Sequence, residues 1–132
     1  MKYIGIVGSR RRNSFPDYIK VHQAFLSIYN PGDRIVSGGC PQGADHFAEQ
    51  IAKKEQVPIL IHYAQWNKCG KAAGFIRNGD IAQEATTLIA CVAEDRTGGT
   101  EDTIKKFLNE KSVGPVTMTE EQAIQSGRLI LV

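Results

Sequence analysis

The sequence predicts a Rossmann-like α/β protein: one three-layer domain with a mostly parallel central sheet. Short apolar runs alternate along the chain with segments in which apolar residues recur at helical spacing. Such alternation favours parallel strands that are connected by helices on both faces of the sheet. The chain has 132 residues, 42% of them hydrophobic, and neither a linker nor an internal repeat interrupts the pattern, so we expect a single domain over residues 1–132.

The first half of the chain contains three predicted strands and two predicted helices. The strands cover residues 3–7, 34–36 and 59–61. The first helix has Ser14 as its predicted N-cap and stops at the turn formed by residues 30–33. The second helix follows a glycine-rich loop, and its apolar stripe contains Phe47, Ala48, Ile51 and Ala52.

The second half is predicted to continue the alternation. A helix, a strand, a helix and a fifth strand are expected in this order: residues 72–85, 88–92, 101–109 and 116–118. Thr119 and Gln122 then form a capping-box pattern for a short last helix. Residues 129–132 are a candidate edge strand.

Two glycine-rich turns follow predicted strands and precede predicted helices. One contains Gly38, Gly39 and Gly43, and the other contains Gly98 and Gly99. Each is expected to place bare backbone N–H groups at a helix N-terminus, a position that favours anions. A single turn of this kind is more often only a turn. Two of them in one α/β chain predict a nucleotide-like ligand that contacts several loops at the carboxyl ends of the strands.

Two arginines are expected to face such a ligand. Arg10 is the first of three consecutive arginines after the first strand, and it lies nearest the strand end. A solvated run of charge is the commoner role for such a triplet. Arg77, on the helix after the third strand, suits the recognition of a phosphate, with a surface salt bridge as its alternative.

Three further side chains each have two roles that the sequence leaves open. Asp45 lies in the first turn of its helix and either caps that helix or accepts a ribose hydroxyl. Trp66 offers an aromatic face to a base, yet a lone tryptophan beside Tyr63 is as often part of a core. Lys71 either contacts phosphate or is solvated.

Charge, cysteines and missing motifs argue against several classes of protein. A formal net charge of +2 is too small for a general nucleic-acid surface, and no apolar stretch reaches membrane-spanning length. Three dispersed cysteines fit a reducing compartment and argue against a zinc site. The dinucleotide fingerprint G-x-G-x-x-G and the Walker A loop are both absent. We therefore expect a cytoplasmic protein with no metal, no cofactor and no membrane partner.

Four ordered motifs carry a family resemblance. They are Gly8-Ser9-Arg10, then Ser37-Gly38-Gly39 with Gly43-Ala44-Asp45, then Trp66 with Gly70-Lys71, Ala73-Gly74 and Arg77-Asn78, and finally Gly98-Gly99-Thr100. Together they resemble the YspA-type, Rossmann-like branch of the SLOG superfamily, which also contains the DNA-processing protein A and the Lonely Guy phosphoribohydrolases. The resemblance covers residues 4–118.

The resemblance implies binding of a nucleotide or a nucleotide-derived ligand, with ligand sensing in antiviral or stress pathways as the role of related domains. The residues expected to bind the ligand are Gly8, Ser9, Arg10, Gly38, Gly39, Gly43, Asp45, Trp66, Lys71, Arg77, Asn78, Gly98, Gly99 and Thr100. The expected partner is this small ligand, and self-association into a homo-oligomer is compatible with the sequence.

Position 103 bears on whether the chain is a binding protein or an enzyme. Lonely Guy proteins carry a glutamate three residues after the threonine of a related motif, and cleavage of an N-glycosidic bond needs a carboxylate near the ribose. Thr103 occupies that position here, which leaves Glu101 as the catalytic candidate. The sequence therefore favours binding, sensing or sequestration of a nucleotide over phosphoribohydrolase activity. A DNA-binding module is third, because the chain lacks a broad basic surface.

Overall fold

The computed structural model contains a five-stranded, all-parallel sheet between two layers of helices, so the predicted fold class is confirmed. It describes the backbone of residues 1–132 and every side chain except those of Lys68 and Lys71. The strands are β1 (Tyr3–Gly8), β2 (Arg34–Ser37), β3 (Ile59–Ile61), β4 (Thr87–Cys91) and β5 (Leu129–Leu131). The helices are α1 (Phe15–Ile28), α2 (Ala44–Glu55), α3 (Trp66–Cys69), α4 (Ala73–Glu84), α5 (Gly99–Glu110) and α6 (Glu120–Gln125). A short 3₁₀ turn (Gly70–Ala72) joins α3 to α4.

The strand order is β3-β2-β1-β4-β5, which places β1 in the middle of the sheet. The chain adds β2 and β3 on one side of β1 and then crosses over to add β4 on the other side. Gly5 of β1 accordingly pairs with Val36 of β2 and with Leu88 of β4. The order thus reverses between β1 and β4, and in open parallel sheets a crevice forms at the carboxyl ends of strands at such a point.

Each face of the sheet packs against its own pair of long helices. Ile6 and Ile89 belong to the core beneath α1 and α2, whereas the next residues along, Val7 and Ala90, belong to the core beneath α4 and α5. Successive side chains of a strand point to opposite faces, so a strand covered on both faces must be apolar almost throughout. This explains the continuous apolar runs that the sequence shows at β1 and β4.

Two of the predicted helix starts are confirmed in detail. Ser14 accepts a hydrogen bond from the backbone N–H of Asp17, whose carboxylate accepts one from the N–H of Ser14. Thr119 and Gln122 make the same reciprocal pair at the start of α6. Both caps follow from local sequence, because each partner lies three residues from the other.

The strand predicted at residues 116–118 is wrong. These residues belong to the connection between α5 and α6, where Val116 is 74% exposed and the N–H of Met118 is bonded to Ser112 rather than to a neighbouring strand. The edge of the sheet is formed instead by β5, as the candidate strand at residues 129–132 predicted. Leu129 is buried there and pairs with Leu88 of β4, so β5 gains a burial that Val116 lacks.

Candidate functional site

A pocket of about 350 Å³ opens at the carboxyl edge of the sheet, at the point where the strand order reverses. Its walls come from the end of β1 and the loop after it, the loop after β2, the first half of α4 and the N-terminal end of α5. Most of the ligand-binding residues predicted from sequence line it: Gly8, Ser9, Arg10, Asp45, Arg77, Asn78, Gly98, Gly99 and Thr100. Its wall also contains residues that were not predicted to bind the ligand: Val7, Arg11, Cys40, Ile81, Thr97 and Thr103.

The three glycines of the first turn, Gly38, Gly39 and Gly43, support the pocket without lining it, whereas Cys40 in the same loop lines it. Gly43 has a φ of +74°, and a Cβ added to it would lie 2.7 Å from the backbone oxygen of Ser9. Its N–H donates to the side-chain oxygen of Asn13 at 2.8 Å, which fixes the loop after β1 against the start of α2. A Cβ on Gly38 would lie within 3 Å of both Asp45 and Arg77. Glycine in this turn is therefore required by the protein's own packing.

The second glycine turn leaves open space. Gly98 is the N-cap of the 12-residue helix α5, has a φ of +109°, and provides no side chain to cap the helix. A Cβ on Gly98 would meet nothing within 4 Å. The N–H groups of Gly99 and Thr100 donate in none of the hydrogen bonds made among the described residues. The start of α5 therefore offers free donors and the positive end of a helix dipole to the pocket.

Arg77 is held in the pocket wall by two hydrogen bonds. Its Nη1 donates to the carbonyl oxygen of Gly38 at 2.9 Å, and its Nε donates to Oδ1 of Asn78 at 3.0 Å. The surface salt bridge considered as its alternative is absent among the described side chains. Nη2 has no acceptor among the described residues, so this end of the guanidinium is available to a ligand.

Asn78 orients Arg77. Its amide nitrogen donates to the carbonyl oxygen of Gly99 and to Asp102, at 3.3 and 3.1 Å, while its amide oxygen accepts from Arg77. Asp102 is in turn bound by Lys106 at 2.8 Å. Because both the donor and the acceptor of the amide are engaged within the protein, Asn78 connects α4 to the start of α5.

The three consecutive arginines have different surroundings. Arg11 donates a hydrogen bond from each of its two terminal nitrogens to Asp95, both at 2.9 Å. These bonds hold the pKa of the Asp95 carboxyl well below its usual range. Arg12 is bound to Asp17 and to the backbone oxygens of Val92 and Val132. Arg10 is exposed at the pocket and has no partner among the described residues. Of the three, Arg10 therefore has the guanidinium group that is left for a ligand.

Asp45 is a buried carboxylate in the pocket wall, 8% exposed. Its Oδ2 accepts a hydrogen bond from the N–H of Cys40 at 3.1 Å, and the hydroxyl oxygen of Ser37 lies 3.2 Å from its Oδ1. Burial raises the pKa of Asp45, although the Cys40 bond, the charge of Arg77 and the Ser37 contact oppose that rise. Neither acceptor oxygen binds an N–H of the first turn of α2, so the proposed capping role is not what the structure shows.

Trp66 lies in α3 and lines neither the pocket nor a core. Trp66 is 56% exposed, and its ring edge lies beside Gly74. A Cβ added to Gly74 would lie 3.4 Å from the ring of Trp66. Both roles considered for it, a core position and a face for the base, therefore lack a matching contact in this structure. The side chain of Lys71 lies outside the described residues.

The catalytic candidate Glu101 does not line the pocket and is bound by Arg96. Its two carboxylate oxygens accept from Arg96 at 2.8 Å each, and Arg96 also binds Glu120. Thr103, the position that the sequence resemblance aligns with a glutamate of Lonely Guy proteins, does line the pocket. Asp45 is therefore the only carboxylate among the described residues of the pocket wall.

Three other expectations concern metals, thiols and membranes. Among the described side chains, no group of three or more His, Cys, Asp or Glu residues could hold a metal ion. The three cysteines are free, and Cys40 contributes to the pocket wall. No helix in the described part of the chain combines the length and the apolar character needed to cross a membrane.

Some residues of the site were missed, for two reasons. Cys40 and Thr97 lie directly beside the glycine turns. A prediction that counted the residues adjacent to each turn as pocket residues would have identified both. The roles of Ser37 and Asp102 come from contacts with residues on other elements, which no local pattern indicates.

Comparisons of the chain with models of protein families, with curated proteins and with solved structures find no match. The chemistry of the pocket and the sequence motifs are thus the basis on which a function can be argued.

Proposed function

We propose that this chain binds or senses a nucleotide or nucleotide-derived ligand in the pocket between β1 and β4. The observation that carries the proposal is that one pocket holds the uncapped start of α5 and two arginines, Arg10 and Arg77, with donors to spare. Backbone N–H groups at a helix N-terminus together with a guanidinium are the groups that proteins commonly use for phosphate.

The rest of the pocket suits the remainder of such a ligand. Val7 and Ile81 line the pocket with apolar atoms, and Asp45 contributes an acceptor. A pocket with a cationic part, an apolar part and one acceptor fits a molecule that carries a phosphate, a ring and hydroxyl groups. Its place at the switch point of a parallel sheet is where open α/β proteins generally bind their ligands.

The sequence motifs support the same proposal. Gly8, Arg77 and Gly98 come from three separate motifs of the YspA-type SLOG pattern, and all three line one pocket. We therefore also propose that the chain belongs to that superfamily. Sequestration of a signalling nucleotide is one function that such binding would serve. A cytoplasmic location and self-association stay predictions.

The alternatives have less support. A phosphoribohydrolase needs a carboxylate near the ribose, whereas Glu101 is bound bidentately to Arg96 and Thr103 stands at the usual position of the acid. A DNA-binding module needs a continuous basic surface. Arg11 and Arg12 are instead each neutralised by an aspartate.

The first test is the identity of the ligand. Mass spectrometry of small molecules released by denaturing gently purified protein should reveal a nucleotide, and titration calorimetry should show binding of at least one of AMP, GMP, CMP and UMP. Absence of both a released nucleotide and measurable binding would show the proposal to be wrong.

Two arginine variants test the site. We expect Arg10→Gln and Arg77→Gln to weaken nucleotide binding about 10- to 100-fold, because each removes a charge-assisted hydrogen bond. Arg10→Gln is the cleaner change, since Arg10 has no described partner whose loss would disturb the fold. Arg34→Gln is the matched control, because Arg34 is exposed at the opposite, amino end of β2. Equal losses in Arg34→Gln and Arg77→Gln would contradict the site.

Catalysis is tested separately. The chain is expected to release little or no free base from the four nucleoside monophosphates, as followed by chromatography. Multiple turnovers that disappear in Glu101→Ala would establish the phosphoribohydrolase alternative instead.

A further inference from the structure

Asp45 has no direct ion pair to account for its burial, although the charges of Arg77 and Arg10 act on it from beyond salt-bridge distance. It is more than nine-tenths buried, yet it forms no ion pair within 4 Å with any described side chain. Buried carboxylates are costly unless they are paired or fully hydrogen-bonded. The hydrogen bonds that Asp45 accepts therefore decide whether its charge is compensated.

One carboxylate oxygen of Asp45 is short of a hydrogen-bond donor. Oδ2 accepts from the N–H of Cys40, and Oδ1 faces the hydroxyl of Ser37 at 3.2 Å. Ser37 has a single hydroxyl hydrogen, and its contact with the carbonyl oxygen of Ile6 is shorter, at 2.7 Å. Since one hydrogen cannot serve both acceptors well, the bond to Ile6 takes it and Oδ1 is left largely unsatisfied.

No described side chain other than Ser37 donates to Oδ1, and Asp45 is part of the pocket wall, so a donor on a bound ligand can reach it. The dianionic phosphate of a ligand does not fill this place, since it carries only acceptors and is repelled by the carboxylate. Arg77 lies near this carboxylate, since a Cβ added to Gly38 would lie within 3 Å of both side chains, but the free Nη2 of Arg77 and the start of α5 are the groups that suit a phosphate. What meets Asp45 is therefore a hydrogen-bond donor on the part of the ligand that is not phosphate.

We propose that Asp45 accepts a hydrogen bond from a hydroxyl of the ribose, either 2′ or 3′, so that the site discriminates against nucleotides whose sugar lacks that hydroxyl. This inference rests on the proposed function. A ribose carries two vicinal hydroxyls within a few bonds of its phosphate, and a site built to bind a hydroxyl rejects an analogue that lacks it, because its own acceptor is then left unpaired. An exocyclic amine of a base is the other donor that a nucleotide offers, and it makes a different prediction.

The decisive experiment needs no variant. Titration calorimetry compares the most tightly bound of AMP, GMP, CMP and UMP with its 2′-deoxy and 3′-deoxy analogues on the wild-type chain. We expect at least one analogue to bind about 10- to 100-fold more weakly, the usual effect of losing a hydrogen bond to a charged group. Equal binding of all three would overturn the inference while leaving the proposed function in place. Failure of every ribonucleotide to bind would overturn both.

A substitution at Asp45 tests whether this side chain is the cause. In Asp45→Asn the single amide oxygen is taken by the N–H of Cys40, so the NH₂ group replaces the acceptor that faces Ser37 and the pocket. Affinity for the ribonucleotide should fall about 10-fold or more, whereas affinity for the weaker-binding deoxy analogue should stay within about 2-fold. Asp33→Asn is the matched control, because Asp33 is also buried and accepts backbone N–H groups, but precedes β2 at the other edge of the sheet.

Two results would contradict the assignment to Asp45. Equal loss for the ribonucleotide and its deoxy analogue would show that Asp45 only supports the loop. Loss confined to nucleotides whose base carries an exocyclic amine, with UMP unaffected, would assign Asp45 to the base instead of the sugar.

Discussion

The two glycine turns at the pocket look alike in sequence but need glycine for different reasons. In the turn after β2, a Cβ added to Gly38 or Gly43 would come within 3 Å of neighbouring atoms, so the protein itself fills the space. In the turn after β4, a Cβ on Gly98 would meet nothing within 4 Å, and one on Gly99 would meet only Asn78, at 3.9 Å. The difference teaches that one turn is a structural support and the other leaves room for a ligand.

The two turns nevertheless act on one another. The packed turn presents the carbonyl oxygen of Gly38 to Arg77 and the N–H of Cys40 to Asp45. The open turn presents its backbone donors directly. Asn78 joins the two, since it binds the carbonyl oxygen of Gly99 and orients Arg77. The packed turn thus orients side chains, and the open turn provides main-chain groups.

Among the changes that test the difference between the two turns, Gly43→Ala is expected to have the largest effect on stability. The change should lower the free energy of unfolding by about 2–6 kcal/mol, because it combines a backbone conformation nearly exclusive to glycine with a clash against a backbone oxygen. Denaturant unfolding measures it. Gly98→Ala is the control, since it carries the backbone strain without the clash and should cost only about 1–3 kcal/mol. Equal losses would remove the distinction between the turns.

Gly99→Ala is expected to have a smaller effect, and on ligand affinity rather than on stability. Its φ is not in the left-handed region and the nearest atom is 3.9 Å away, so the free energy of unfolding should change by no more than about 0.5 kcal/mol. The added methyl group would occupy the space through which a phosphate approaches the N–H groups of α5. We expect nucleotide affinity to fall about tenfold, which corresponds to 1.4 kcal/mol, as measured by calorimetry. Unchanged affinity together with unchanged stability would mean that the open turn is not used by the ligand.

The smallest effect concerns the pH dependence of stability, through the carboxylate that the packed turn holds. Because the pKa of Asp45 is raised in the folded protein, the folded state binds its proton more tightly than the unfolded state. Ionisation of Asp45 therefore lowers stability as pH rises from the unfolded pKa through the folded pKa. We expect Asp45→Asn to gain stability relative to wild type over that interval, above about pH 4, in unfolding measured from pH 3 to 7. A difference that stays constant with pH would show that Asp45 is ionised equally in both states.

Much of the fold could be predicted because it depends on local pattern. The alternating apolar periods located β1, β2, β3 and β4, and the capping pairs of Ser14 and Thr119 act across three residues. The prediction of a strand at residues 116–118 was wrong, because a short apolar alternation does not indicate whether the segment can pair with the edge of a sheet. The edge was taken by Leu129–Leu131, where burial against β4 was possible.

The sequence by itself determined the α/β layering, the two glycine turns at strand ends and the choice of Arg10 and Arg77 as candidates. These rest on residue types and short spacings, which act within a few residues along the chain. Only the tertiary structure decided which groups are left over for a ligand: Arg11 and Glu101 are bound by Asp95 and Arg96, while Asp45 keeps an under-satisfied oxygen. The physical reason is that a hydrogen-bonding group is available only when no neighbour in space has already used it. Residues far apart in the chain, such as Ser37 and Ile6 or Arg77 and Gly38, settle that question.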